Sequence, residues 1–436
     1  MTPFQHVKAL LAFIDASPSP WHVVATMEHW LTTSGFQRLD EAHKWNLVAG
    51  GRYFVIRGNS SIITFVVGQQ SPATSGFKIV GAHTDSPGLR IKPNAAYATD
   101  GWLRLGVEVY GGPILATFGD RDLSLAGRIS FVDSKGLVKN QLVHFDESLV
   151  RLPNLAIHMN RNVNEEGLKY QKQLELPLIL KAFNDQMPKD YFVALLKKSA
   201  GIAAEQILSW DLNVYDTQPG VFWGAQQEFY ADSQLDNLAS CHAGLTALVD
   251  QAKELSQSTL VMACFDHEEI GSCSNIGAES SFLPDVLERI ALAIDQDREN
   301  YRRALAQSFL VSADMAHAYH PNYPSAYEPE HKVMVNQGPV IKVNSNQRYA
   351  SESSTIAMFA RCCEVAEVPY QMYAHRTDLG CGSTIGPLAA AKLGLKTVDV
   401  GCPMWAMHSI RESAGVFDHA NMIKALNGFF STEIIS

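Results

Sequence analysis

Four short apolar runs in this sequence each lead into a histidine or a carboxylate, and that repetition constrains the fold more than any other feature. Phe77 to Val80 runs into Gly81-Ala82-His83-Thr84-Asp85, and Leu260 to Phe265 runs into Asp266-His267-Glu268-Glu269. Phe309 to Val311 runs into Ser312-Ala313-Asp314, and Thr397 to Val400 leads, after a short loop, into Met407-His408-Ser409. Runs of this length and apolar content read as buried strands. In an open α/β sheet, ligands bind beyond the carboxyl ends of the strands. Four such endings therefore converge on one crevice. A fifth candidate, Asp236, opens a long amphipathic helix just after Ser233.

The surrounding pattern supports such a sheet. Residues 5 to 33 read as helical, with Pro18 and Pro20 between two amphipathic stretches. Short β-rich runs follow at Tyr53 to Ile56, Ile62 to Val67 and Phe77 to Val80. From about residue 90 to 229 the segments become alternating and glycine-punctuated, as in Leu105 to Tyr110 and Ile129 to Val132, and a helical pattern returns only at about Tyr191 to Ala204. Helices are expected at about Leu235 to Glu254, Pro284 to Ser308, Glu352 to Ala366, Pro387 to Leu393 and Ala420 to Phe429. Strands at Val340 to Val343, Tyr370 to Tyr373 and Thr397 to Val400 alternate with them. This pattern predicts an α/β fold with a helix-flanked, mostly parallel sheet. A structureless connection of about 150 residues between His83 and Asp236 is implausible, so the mostly β stretch is expected to be an inserted domain. The boundaries are 1–89 plus 230–436 for the first domain and 90–229 for the second.

At 436 residues the chain is long enough for that organisation. A net charge of −10 argues against a general nucleic-acid binder, which needs a basic surface. No apolar run reaches membrane-spanning length, and Met1-Thr2-Pro3-Phe4-Gln5-His6 has no basic and apolar leader pattern. Seven cysteines without regular spacing suggest free thiols in a reducing cytoplasm rather than a disulfide framework.

Two histidines and three carboxylates suit zinc, and a carboxylate can bridge two ions. Manganese or cobalt would also accept an oxygen-rich set. In the pair Glu268-Glu269 one residue can ligate while its neighbour holds a water as general base. The spacing His83-x-Asp85 lets Asp85 orient the imidazole. The helix motif HExxH is absent, because Ile270 and Gly271 follow Glu269. Gly380-Cys-Gly-Ser-Thr-Ile-Gly386 lacks the Walker lysine and the dinucleotide spacing, and reads as a turn in which Ser383 or Thr384 caps the next helix. Asp236 also fits a helix N-terminal carboxylate, Lys342 an edge-strand lysine reaching water, and His158 a surface histidine. His317, His320, His331 and His375 read as solvated or hydrogen-bonded residues.

The sequence resembles the aspartyl aminopeptidase family of dinuclear zinc exopeptidases. The matching stretches are Gly81-Ala-His-Thr-Asp-Ser-Pro-Gly88, Ser233-Gln-Leu-Asp-Asn237, Asp266-His-Glu-Glu-Ile-Gly-Ser272, Ser312-Ala-Asp-Met-Ala-His317, Gly338-Pro-Val-Ile-Lys-Val-Asn344, Asn346-Gln-Arg-Tyr-Ala350, Gly382-Ser-Thr-Ile-Gly-Pro387 and Met407-His-Ser-Ile-Arg-Glu412. The resemblance implies two Zn2+ per subunit, one held by His83 and Asp314, the other by Glu269 and His408, with Asp236 bridging. It implies Glu268 as the base and Asp85 as support for His83. An acidic N-terminal residue of the peptide substrate would meet Lys342, with Tyr349 nearby and His158 contributed across a dimer contact. It further implies that the inserted domain makes dimers, which assemble into a dodecamer. A deacylase or carboxypeptidase on the same scaffold, or a non-catalytic particle, are the alternatives.

Overall fold

The nine-stranded sheet at the centre of the computed structural model is built around the four strands singled out above. The structure describes residues 1–184, 190–202 and 207–432. Across the sheet the strands run Gln37–Leu39, Arg52–Arg57, Ser61–Val66, Thr259–Phe265, Phe77–His83, Phe309–Ala313, Lys396–Gly401, Val340–Val343 and Gln371–Ala374. The strands Thr259–Phe265, Phe77–His83, Phe309–Ala313 and Lys396–Gly401 are neighbours and parallel. Their carboxyl ends therefore lie side by side. Both faces of the sheet are covered, which is why these strands are apolar throughout rather than alternating. Leu260, Met262 and Cys264 pack on one side, against Leu10, Val23, Leu238, Phe359 and Phe429. Val261, Ala263 and Phe265 pack on the other, against Phe282, Leu287, Tyr301 and Ile385. Burying each such side chain fully stabilises the fold by roughly 1.5–3 kcal/mol, so the sheet makes a stiff platform for residues at its edge.

Residues 88 to 216 supply a second, six-stranded sheet that is antiparallel throughout. It has its own core of Leu89, Leu105, Leu125, Leu178, Phe192 and Leu212. The helix expected at Tyr191 to Ala204 spans Tyr191–Ala200, ending at Gly201 in the left-handed region; residues 203 and 204 lie outside the described residues. A third sheet of five short strands was not foreseen. It joins Val221–Trp223, Phe229–Asp232, Glu412–Gly415, Pro403–Trp405 and Ala316–His317. Two- to four-residue strands carry too little periodicity to be read from sequence.

Two local expectations fail. The single helix at Pro284 to Ser308 is two, Phe282–Asp295 and Arg298–Gln307. Gln296 takes a left-handed conformation with φ +53°, and Asp297 caps the second helix by accepting from the Glu299 N–H. Thr384 sits at the start of helix Ile385–Leu393 but does not cap it; its hydroxyl donates to Asp399 Oδ1 at 2.6 Å, while Ser383 donates to the Arg348 carbonyl. Among the described residues no helix is long and apolar enough to cross a membrane.

Candidate metal centre

The candidate ligands sit where regular strand hydrogen bonding stops. His83 ends the strand Phe77–His83, and Asp314 follows Phe309–Ala313. Beyond Thr259–Phe265, the chain turns at His267, φ +66°, into the short helical turn Glu268–Ile270. His408, φ +69°, lies in the loop between Pro403–Trp405 and Glu412–Gly415. Asp236 and Asn237 depart from helical geometry near the start of Leu235–Gln251, and the Asp236 N–H, in the first turn, is open to a side-chain partner.

These side chains meet at one place. Asp236 stands between the two imidazoles: Oδ1 is 3.4 Å from His83 Nε2 and Oδ2 is 3.5 Å from His408 Nε2. Asp314 Oδ1 lies 3.5 Å from His83 Nε2, and Glu269 Oε2 lies 3.4 Å from His408 Nε2. Two groups of ligand atoms result, His83 with Asp236 and Asp314, and His408 with Asp236 and Glu269, each spanning less than 4.8 Å. Glu268 Oε2 is 4.0 Å from His83 Nε2, and His83, Glu268 and Glu269 form a third, overlapping group.

Both imidazoles are oriented from behind. His83 Nδ1 lies 3.0 Å from the Asp85 carbonyl, and His408 Nδ1 lies 3.1 Å from the Gly112 carbonyl. A carbonyl can only accept, so each Nδ1 carries a proton, and Nε2 is the nitrogen each ring turns to the shared carboxylates. The Asp85 carboxylate, expected to orient His83, is the more distant partner at 3.4 Å. It accepts the N–H groups of Glu268 and Glu269, both at 3.1 Å, and the Tyr110 hydroxyl at 2.7 Å. Glu412 is its counterpart on the other side. It is buried and accepts the N–H of Asp236 at 3.0 Å and of His408 at 2.6 Å. Sequence reasoning assigned roles to neither Glu412 nor Tyr110. Glu412 stood inside a matching stretch, four positions after His408; Tyr110 ended an alternating strand and gave no signal.

The donor set fits a divalent cation. Buried carboxylates outnumber the histidines, and Asp236 Oδ1 is buried with no hydrogen-bond partner. Burial, then the neighbouring carboxylates, push Glu268 up to about 8 and raise Glu269 well above its ordinary value. Burial would lower His83, but Asp236, Asp314 and Asp85 outweigh it and hold the imidazole well above its usual range. A cage with this excess of negative charge is satisfied by positive ions at the shared centre.

Lys342 is buried beside the cage. Its Nζ donates to the carbonyls of Asp314 at 3.0 Å and Met315 at 3.1 Å, lies 3.7 Å from Asp314 Oδ2, and sits 5.0 Å from the centre of the Tyr349 ring. His375 is hydrogen-bonded to the Tyr373 hydroxyl at 2.5 Å, and His331 to Glu328. His158 is not among these groups. It is exposed in a turn of the 90–229 region, flanked by exposed Leu155, Ile157 and Met159.

Comparison with known proteins gives a consistent match. The family model described as "Aminopeptidase I zinc metalloprotease (M18)" matches residues 13–430. A Pseudomonas paraeruginosa protein named "Probable M18 family aminopeptidase 2" is 46% identical over 428 residues, 98% of each chain. Among solved structures, a chain from a complex of Ape4 and Nbr1 superposes with a TM-score of 0.96 at 37% identity, covering 100% of this chain and 88% of that one. The S. cerevisiae mApe1 dodecamer gives a TM-score of 0.86 at 26% identity, covering 97% and 95%.

Proposed function

This chain belongs to the M18 family of zinc aminopeptidases, and on that premise we propose that it removes N-terminal acidic residues, aspartate or glutamate, from peptides at a centre of two zinc ions. The observation that carries the two-zinc reading is Asp236, whose two oxygens face the Nε2 atoms of two different histidines at 3.4 and 3.5 Å. In this reading His83 and Asp314 would hold one ion and Glu269 and His408 the other, with Asp236, which faces both histidines, shared between them. Zinc supplies Lewis acidity, which lowers the pKa of water to about 7 and polarises a carbonyl.

The chain's own groups do the rest. Glu268 points at the same centre and ligates neither ion; it takes a proton from the attacking water and delivers it to the leaving amine. Asp85 and Glu412 hold the backbone of Glu268, Glu269, Asp236 and His408 from behind, so ligands and base keep their geometry as charge develops. Lys342 has three N–H groups and two carbonyl partners, which leaves one donor for an acidic side chain, beside the Asp314 carboxylate at 3.7 Å. Tyr349 walls that pocket. His158 reaches it only from a second subunit.

That last step makes the protein a homo-oligomer. We assign dimer formation to the inserted region 90–229, where Leu155, Ile157 and Met159 are exposed, and assembly of dimers to a dodecamer, by analogy with mApe1. All seven cysteines are free, which agrees with a reducing cytoplasm.

The test is hydrolysis of an N-terminal aspartyl reporter amide against leucyl and lysyl analogues, before and after chelation and zinc restoration. Aspartyl turnover that is lost to chelator and regained with zinc is expected. Faster leucyl turnover would remove the roles given to Lys342 and His158 but keep the metal centre.

A further inference from the structure

The inserted sheet reaches into the metal centre at one point. Its strand Trp102–Tyr110 ends at the cage, and the residues that follow touch both halves of it. The buried Tyr110 hydroxyl donates to Asp85 Oδ2 at 2.7 Å, and that same carboxylate accepts the N–H groups of Glu268 and Glu269. Burial, then Asp85 and Asp266, push the Tyr110 phenol well above its ordinary value, so it remains a donor. The Arg90 guanidinium lies 3.6 Å over the Tyr110 ring and fixes its plane. Gly111, φ +66°, passes so close to the cage that a Cβ there would lie 3.2 Å from the Glu269 Cβ. The Gly112 carbonyl accepts from His408 Nδ1 at 3.1 Å. Ile114 N–H donates to the His408 carbonyl at 2.8 Å, and Thr117 Oγ1 accepts from Ile410 N–H at 3.0 Å.

We propose that the segment Tyr110 to Ile114 is a clamp that positions both metal sites, with Tyr110 as a positioning residue acting through Asp85 and the Gly112 carbonyl fixing the His408 ring. The chemistry follows from where the ligands come from. His83 and Asp314 extend from stiff central strands, whereas Glu269 sits in a short turn and His408 in a hairpin loop. Groups on turns need partners behind them to keep a lone pair aimed at an ion. The clamp supplies those partners from a part of the chain whose strands make a separate sheet. The inserted region thus contributes to metal retention as well as to any contact between subunits. This inference rests on reading Glu269 and His408 as metal ligands.

The experiment uses full-length, zinc-loaded protein and follows zinc loss to excess chelator with a chromogenic indicator, alongside kcat and KM on the preferred reporter amide. Tyr110→Phe removes one oxygen and keeps the ring. Gly111→Ala adds a Cβ against Glu269 at a left-handed position. Both are expected to release zinc about 10- to 100-fold faster than the parent, in keeping with the usual effect of losing a group behind a ligand. Their kcat should fall while KM stays nearly constant. His408→Ala is the control for the ligand assignment and should fail to retain one of two ions. If His408→Ala retains both, the ligand assignment fails. If His408→Ala loses an ion while Tyr110→Phe and Gly111→Ala release zinc at the parent rate with unchanged kcat, the clamp is overturned. Thermal melts identify a variant that does not fold; should Tyr110→Phe be one, Gly111→Ala decides the matter.

Discussion

Glu268 and Glu269 are adjacent and chemically alike, yet the turn between them sends their oxygens to different places, one facing His408 and the other His83. Glu268→Gln keeps the shape and the reach but cannot take a proton. It should bind zinc as the parent does and lose about 10²- to 10⁴-fold in kcat, the usual contribution of a general base; metal analysis and steady-state kinetics on the same sample check both halves. Lys342 calls for a different readout, because its role is selection. Lys342→Met fills similar volume without charge, and should lower aspartyl turnover at least tenfold while leaving leucyl turnover within about twofold, since each 1.4 kcal/mol of lost ion pairing is a factor of ten. Equal losses on both reporters would make Lys342 a structural lysine bound to the Asp314 and Met315 carbonyls. Four of the five candidate ligands that the structure brings together follow apolar strands, a pattern a sequence shows, whereas Asp236 stands at the start of a helix. Glu412 was not legible as a site residue, because its partners are backbone N–H groups of Asp236 and His408, and nothing in a sequence marks which N–H a carboxylate will accept.

At the scale of elements, the buried parallel strands were read correctly because both of their faces pack against helices and their composition shows it. The break at Gln296 and the third sheet were not, since one left-handed residue and a few two- to four-residue strands leave no periodic trace. The helices Leu235–Gln251 and Val416–Ser431 also bury a pair that periodicity alone passes over. His242 Nδ1 and His419 Nε2 are 2.9 Å apart in the core. Burial, then His6, lowers His242 to about 3, and burial with His242 holds His419 well below its ordinary value. Both are neutral in the folded protein. Unfolded histidines take up protons below about 6.5, so the unfolded state binds more protons from there down, for His242 as far as its folded value of about 3. Stability is therefore complete above that unfolded value and falls with pH through this window, by about 1.4 kcal/mol per pH unit for each histidine. Urea unfolding at a series of pH values should give a shallower slope for a His242→Asn, His419→Gln double variant than for the parent. An unchanged slope would place the acid sensitivity elsewhere.

At the scale of the whole molecule, His158 tests whether one chain is a complete enzyme. It is exposed in the 90–229 stretch and belongs to none of the ligand groups found among the described residues, and it stands in a row of exposed apolar residues that the proposed dimer would cover. In a two-fold dimer a residue of one subunit that reaches its partner's pocket is matched by the reverse contact. That symmetry makes the role separable from the chemistry. His158→Ala removes the contributed residue and leaves the variant subunit's own cage intact; Glu268→Gln removes the base and leaves His158 intact. Each variant alone should turn over the aspartyl reporter poorly. In a mixed dimer, the intact cage of the His158→Ala subunit receives His158 from its Glu268→Gln partner. Random pairing of equal amounts makes half the dimers mixed, with one competent site in two, so co-expression should restore about a quarter of the parent activity. Simple mixing of assembled particles should restore none until subunits exchange. If co-expressed variants stay as inactive as each alone, His158 works within its own chain or not at all. The inserted region would then be left with the clamp at Tyr110 as its one contribution to the active site.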